Sequence, residues 1–462
     1  MKVLVINTSL RPFSPVKLFP IGLGYVMTAM KRVGFDFDLL DIDAYRYSDA
    51  QVEKLIRKKE YDVICMGCIV TGYRIIKSLA ALIKLIHPKS KIIVGNSVAT
   101  SIVDILLSKT ETDIAVMGEG DETIVELLKT ISENGRLEDV RGICFKKDGK
   151  IIKNSLRQAI KDISVLPSID LSIFDIEIYI EASKYTVNEP LPVPREQIRS
   201  LQVNTSRGCI ASCSFCYQVF KGYPYRFRNA DSVINEIKKL IETYAINYIV
   251  FSDELTFFSK KQLSEFLDKI LASGLSFYWA ASCRGNLFTN EEDIEIIKRM
   301  KKSGCVSMSY SLESADPDIL KMMKKHVGSE QFSRQTKMFA AAGLPTVTSL
   351  VLGYPQETPE TIRKTIDCCI ENKLYPSVGY LLPQPGSEMY DYALEHGIIK
   401  DQEEYLLKMG DRQDLLVNFT KMSNEEFQSQ VLTQLKRCNE SLQIGLDEKN
   451  LIKTLFLRSK KK

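Results

Sequence analysis

Apolar positions along this chain fall into two alternating patterns. A short β-branched apolar run at 2–7 and further runs at 35–40, 63–66, 91–95 and 114–117 read as buried strands. Longer runs with helical spacing lie between them, at 18–32, 74–85 and 123–132. The alternation resumes after residue 200. Strand-like runs lie at 201–205, 248–252, 277–282, 306–312, 346–352 and 377–382, and amphipathic runs at 230–244, 260–273, 291–303, 329–342 and 359–372. Helix-start signals accompany the second set, such as Asn229 and the Thr358-Pro359 pair.

Strands alternating with helices predict parallel sheets covered by helices. The first series predicts a doubly wound, Rossmann-like α/β domain over 1–138, a class that binds ligands at its strand C-termini. The second predicts a partial barrel of six strand–helix units over 199–398. Between them, 139–155 reads as a hairpin around Lys147-Asp148-Gly149-Lys150. The proline-rich stretch 165–195 reads as a surface linker, so 139–198 forms the connection. A helical extension over 399–462 is expected to carry helices at 424–441 and 447–457 and a solvated basic tail, 458–462.

Composition narrows the function classes. A 462-residue chain with 45% hydrophobic residues has material for two or three packed domains. Its 62 basic and 58 acidic side chains nearly balance, which argues against nucleic acid as a partner. No apolar run reaches a membrane-spanning length. Residues 2–7 read as a strand, not a signal peptide, and the eleven cysteines are scattered as in a reducing cytoplasm.

One cysteine group stands apart. Cys209, Cys213 and Cys216 form a Cys-x3-Cys-x2-Cys run directly after the first strand of the second series. Structural zinc normally takes four N/S ligands, and no second cysteine pair lies near this loop. Iron–sulfur clusters are normally held by four thiolates, so a triplet leaves one iron open. The run, with Phe215 before its last cysteine, resembles the signature loop of the radical S-adenosylmethionine (SAM) superfamily. That resemblance implies a [4Fe-4S] cluster whose open iron chelates the amino and carboxylate groups of SAM. It also implies reductive cleavage of the sulfonium to a 5′-deoxyadenosyl radical.

The later strand ends carry further resemblance. Asp253-Glu254 follows the second strand. By resemblance an acidic residue there, Glu254 before Asp253, receives the SAM ammonium; the alternative is a helix cap. Arg284, after the third strand, has the fork to hold a carboxylate, or makes a surface ion pair. The Glu313 segment resembles the family's ribose-contacting stretch, and the Gly353 segment its adenine-contacting stretch. The usual second glycine of that last segment is Gln356. The turn 383–388 resembles the one that closes the barrel in the related group.

In the first domain, the run ending at Gly95-Asn96 and the turn Gly118-Glu119-Gly120 resemble segments of the cobalamin-binding domain fused ahead of many radical SAM barrels. The glycines would let backbone approach the cofactor; the alternative is an ordinary turn with a carboxylate at a helix start. The Asp-x-His-x-x-Gly run that supplies a lower-axial histidine in many such domains is absent, and His87, His326 and His396 lie elsewhere. Cys65 and Cys68 end a strand, where they are core residues or touch a corrin or metal.

Together the resemblances imply a cobalamin-binding-domain-containing radical SAM enzyme. Its cofactors would be a [4Fe-4S] cluster, SAM and cobalamin. Its partners would be a small-molecule or peptide substrate and a low-potential electron donor of flavodoxin or ferredoxin type, in the cytoplasm. The leading expectation is methyl transfer to an unactivated centre, with one SAM methylating cobalamin and another giving the radical. The alternatives are a non-methylating cyclase, oxidoreductase or rearrangement enzyme, and a methylthiotransferase.

Overall fold

The computed structural model describes residues 1–14, 16–187 and 189–452. Strands β1 (Val3–Asn7), β2 (Phe37–Asp41), β3 (Val63–Gly67), β4 (Lys91–Gly95) and β5 (Ile114–Val116) are parallel neighbours in the order β2-β1-β3-β4-β5. The apolar run of β1 is buried throughout, as in a sheet covered on both faces. The hairpin β6 (Ile143–Lys147) and β7 (Lys150–Lys153) does not stand apart. It joins antiparallel to β5 and completes a 7-stranded sheet.

The second sheet begins with β8 (Ser200–Val203), whose end leads into a two-stranded ribbon, β9 (Ser206–Arg207) with β10 (Arg226–Phe227). Parallel strands β11 (Tyr248–Phe251), β12 (Tyr278–Ser282), β13 (Cys305–Ser309) and β14 (Thr346–Val347) extend it in the order β8-β11-β12-β13-β14. β15 (Ser349–Leu352) pairs with β16 (Ser377–Tyr380) as a separate parallel pair. The sequence predicts a single strand over 346–352. It is split at Thr348, whose buried hydroxyl accepts the Leu312 N–H at 3.1 Å and so takes the place of a ladder bond. An isolated bridge from Glu313 to Leu350 carries the curvature across the break.

Packing fixes how the domains sit. Trp279, fully buried, meets Phe251, Phe257 and Phe266 at centroid separations of 5.8, 6.2 and 5.8 Å beneath the barrel sheet. One buried apolar cluster spans both units, joining Leu4, Ile64 and Ile92 of the first sheet to Tyr354, Leu381 and Met389 beyond the second. The proline-rich segment is more deeply packed than its composition predicts. Helix Ile176–Ser183 buries Tyr179, whose hydroxyl donates to Asp41 at 2.8 Å. Asn7 donates to the same carboxylate at 2.8 Å, tying the ends of β1 and β2 to this helix.

The expected helix at 424–441 is present as Asn424–Ser441 and packs on helix Pro359–Glu371. Of the expected 447–457 helix, only a short 3-10 turn, Glu448–Asn450, falls among the described residues. Residues 453–457 and the basic tail lie outside them. No helix among the described residues is long and apolar enough to cross a membrane.

Candidate functional site

The candidate cluster ligands lie on the long loop between β9 and β10, at the C-terminal end of β8. All three thiols are free; Cys209 and Cys213 are half-buried and Cys216 is exposed. Burial pushes the Cys213 thiol up, and Lys325 opposes that shift. Among the described residues, no group of three His, Cys, Asp or Glu side chains converges on a single ion.

Ser214, buried between two of the cysteines, pins the loop. Its N–H donates to Met323 O at 3.0 Å, its hydroxyl to Met322 O at 2.8 Å, and it shares a 2.9 Å bond with the Tyr354 hydroxyl. Met389 N–H donates to Ser214 O at 3.0 Å, so backbone from two distant helices fixes this point. Phe215 packs partly buried against the apolar cluster shared by both domains.

Neither Asp253 nor Glu254 caps a helix; the following helix, Lys260–Ala272, is capped by Ser259. Asp253 is consumed by the chain entering the loop. It accepts from Thr205 N at 2.7 Å, Ser206 N at 3.0 Å and the Thr205 hydroxyl at 2.8 Å. Glu254 accepts Val219 N–H at 2.7 Å and bonds to Gly208, and its charge acts on Cys216. The structure therefore places Glu254 beside the last cysteine and gives Asp253 a bracing position.

Among the described residues Arg284 makes no ion pair. It donates to Lys325 O at 2.7 Å, and Lys325 in turn pairs with Glu313 at 3.0 Å with both side chains mostly buried. Glu313 holds a left-handed backbone, φ +64°, and its Oε2 is buried with no hydrogen-bond partner. A buried acceptor left open costs free energy unless something donates to it, which fits a hydroxyl or ammonium group of a bound small molecule. Arg284, Glu313 and Lys325 all act electrostatically on Cys213. Sequence reasoning missed Lys325 and Ser214; neither sits at a strand end.

Gly353 has φ +106°, and a Cβ there would lie 3.1 Å from the Phe427 ring. Its N–H donates to Glu357 at 3.0 Å, and the Thr361 hydroxyl donates to the same carboxylate at 2.5 Å. Burial lifts the Glu357 carboxyl to about 7 against these two bonds. A carboxyl raised in the fold takes up a proton on folding between its unfolded value, 4.5, and about 7. Its contribution to stability is therefore complete below that window and is lost as pH climbs through about 7. Wild-type protein is expected to lose about 2–3 kcal/mol between pH 5 and 8 relative to Glu357→Gln. Denaturant midpoints at both pH values check this, and parallel profiles for the two proteins would refute it.

The C-terminal end of the first sheet approaches the cysteine loop at Gly118, after β5, where a Cβ would lie 2.8 Å from the Tyr223 hydroxyl. Asn7, Gly67 and Gly95 lie in register at this C-terminal edge, one on each of three adjacent strands. A Cβ on Gly95 would meet nothing within 4 Å. Leu10 and Phe13, in the loop after β1, and Ile69, in the loop after β3, are exposed large apolar side chains. An open glycine and exposed apolar side chains fit the flat face of a corrin. Cys65 and Cys68 are buried, and burial raises both thiols, to about 12 and about 11, which fits core residues. His87 bonds Ile56 O and His396 bonds Tyr392 O, both away from this edge.

The Gly118-Glu119-Gly120 turn has a protein neighbour that the sequence did not reveal. Gly118 has φ +69°, and a Cβ there would lie 2.8 Å from the Tyr223 hydroxyl of the cysteine loop. Glu119, before helix Gly120–Ser132, is buried and pairs with Arg207 at 2.7 Å and Arg226 at 2.9 Å. Its side chain is thus spent on arginines of the second domain, and a cofactor at this turn would meet backbone.

A doubly wound domain facing a partial barrel that carries a cysteine triplet defines a two-cofactor radical enzyme. Residues 203–369 match the radical SAM superfamily and residues 14–128 the B12 binding domain. The chain belongs to the cobalamin-binding-domain-containing radical SAM enzyme family, whose cofactors are a [4Fe-4S] cluster, SAM and cobalamin. It is 27% identical to an uncharacterized methyltransferase of Pyrococcus horikoshii, over 95% of this chain and 90% of that protein. It is 25% identical to an anaerobic magnesium-protoporphyrin IX monomethyl ester cyclase of Cereibacter sphaeroides, over 75% of this chain and 55% of that protein. In fold it resembles the radical SAM methyltransferase TsrM from Kitasatospora setae, with a TM-score of 0.66 at 17% identity, covering 86% of this chain and 77% of that one.

Proposed function

We propose that this enzyme is a cobalamin-dependent methyltransferase acting on an unactivated carbon or phosphinate-type centre of a small molecule or peptide. It works in the cytoplasm with a low-potential donor of flavodoxin or ferredoxin type. The observation that carries the proposal is a pair of open places. The Gly95 position at the strand ends of residues 1–138 has open space where a Cβ would lie, and in residues 199–398 the buried, unpaired oxygen of Glu313 belongs to a carboxylate whose charge acts on Cys213.

Cys209, Cys213 and Cys216 hold the cluster. Glu254 faces the ammonium of SAM, Arg284 its carboxylate, and the free oxygen of Glu313 accepts from a hydroxyl. The Gly353 segment, whose missing Cβ admits the Phe427 ring, would present backbone to the purine. When bound, cluster and SAM supply a hydrogen-abstracting radical and cobalamin the methyl group; the chain orients them and excludes water and oxygen.

Full-length protein reconstituted anaerobically with iron, sulfide and cobalamin should give both 5′-deoxyadenosine and S-adenosylhomocysteine. 5′-Deoxyadenosine alone would overturn methyl transfer and favour a non-methylating radical reaction, the reading to which the cyclase relative points.

A further inference from the structure

The neck of the cysteine loop is the ribbon β9–β10, in which Arg207 and Arg226 are direct cross-strand partners. Like charges directly opposite one another destabilise a ribbon, and both guanidinium groups are largely buried. Phe220 lies against both, at 5.6 Å from each. Their counter-charges come from the other domain: Glu119 reaches both arginines, and Asp121 reaches Arg207 at 2.9 Å. Glu119 is the one carboxylate paired with Arg226 among the described residues. It also accepts Ile160 N–H at 2.8 Å, which locks its orientation.

We propose that Glu119, in the cobalamin-type domain, is a positioning residue of the iron–sulfur centre, closing the neck of the loop that carries the three cluster cysteines. The proposal rests on the reading of that loop as a cluster cradle. Without the Glu119 charge, Arg226 keeps the Pro224 and Ile160 carbonyls but is a buried cation with no carboxylate partner beside a second cation, and the ribbon opens. A buried pair broken on one side is far costlier than a pair removed together. The roles are therefore unequal. Glu119→Gln should be severe. Asp121→Asn should be mild, because Arg207 keeps Glu119. Arg226→Gln added to Glu119→Gln should restore function, because the unpaired charge is gone.

The test is anaerobic reconstitution of full-length wild type, Glu119→Gln, Asp121→Asn and Glu119→Gln/Arg226→Gln. Iron and sulfide per chain and the electron-spin signal of the reduced cluster are read for each. The corrin band gained on mixing with cobalamin, measured before iron is added, reports the fold of the first domain. Glu119→Gln should lose roughly five-fold or more of its cluster while keeping the corrin band, and the double variant should recover at least about half of the loss. Equal loading of Glu119→Gln and wild type overturns the proposal, as does a double variant no better than the single one. If Glu119→Gln fails to fold, the double variant decides: cluster loading near wild type supports the proposal, and loading below about a fifth overturns it. A wild type that takes up no cluster instead removes the cradle reading itself.

Discussion

Cys213→Ala protein, reconstituted without oxygen, is expected to lose its cluster and with it 5′-deoxyadenosine formation by at least about a hundredfold, because even an outer partner of a metal ligand is worth about 10–100-fold in metal affinity. A cubane already held by fewer than four thiolates has no spare ligand. The substitution should leave the fold intact. The loop is anchored at this point by Ser214, through bonds to Met322, Met323, Tyr354 and Met389. Cys213 itself is half-buried and carries none of those bonds. Thermal unfolding of the cluster-free proteins should therefore coincide, while iron content and turnover separate. An alanine variant that keeps wild-type iron would show that Cys213 is not a ligand.

Lys325→Met is expected to be the most damaging single change away from the cysteines. It removes the only ion-pair partner of Glu313 among the described residues and leaves a carboxylate that is 5% exposed with both oxygens unpaired. Stranding a buried charge in this way costs about 3–5 kcal/mol. Removing the charge as well should return most of the loss, so Lys325→Met/Glu313→Gln is expected to unfold closer to wild type than Lys325→Met does. Both variants should cleave SAM poorly, since the Lys325–Glu313 pair, whose two charges act on Cys213, is lost in each. Denaturant titration together with a 5′-deoxyadenosine assay checks both halves. Simple additivity of the two substitutions would contradict the buried pairing.

The elements were legible because their signals are local. The alternating runs fix most of the parallel strands within a residue or two, the runs 306–312 and 346–352 excepted, and helix 230–244 coincides with Ala230–Tyr244, capped by Asn229 as its side chain predicts. The cysteine spacing sits within a single loop and is visible without a fold. What stayed hidden depends on distant parts of the chain meeting. Glu119 sits in a turn that reads as a cofactor contact, and nothing nearby announces Arg207 and Arg226. Lys325 follows a short helix, Pro317–Met322, and gains meaning only beside Glu313. The break at Thr348 falls at a Thr-Ser pair that a single strand would also tolerate, and only the fold shows the Thr348 hydroxyl replacing a backbone bond. The deep seat of Tyr179 is masked by the prolines around it.

The electron-spin spectrum of the reduced, reconstituted protein, recorded before and after addition of SAM, tests most directly whether the loop leaves an iron open at the barrel mouth. A cubane signal that changes on adding SAM, and is missing from Cys213→Ala, is the result predicted. Bound zinc in place of iron, or a cubane signal indifferent to SAM, would contradict it.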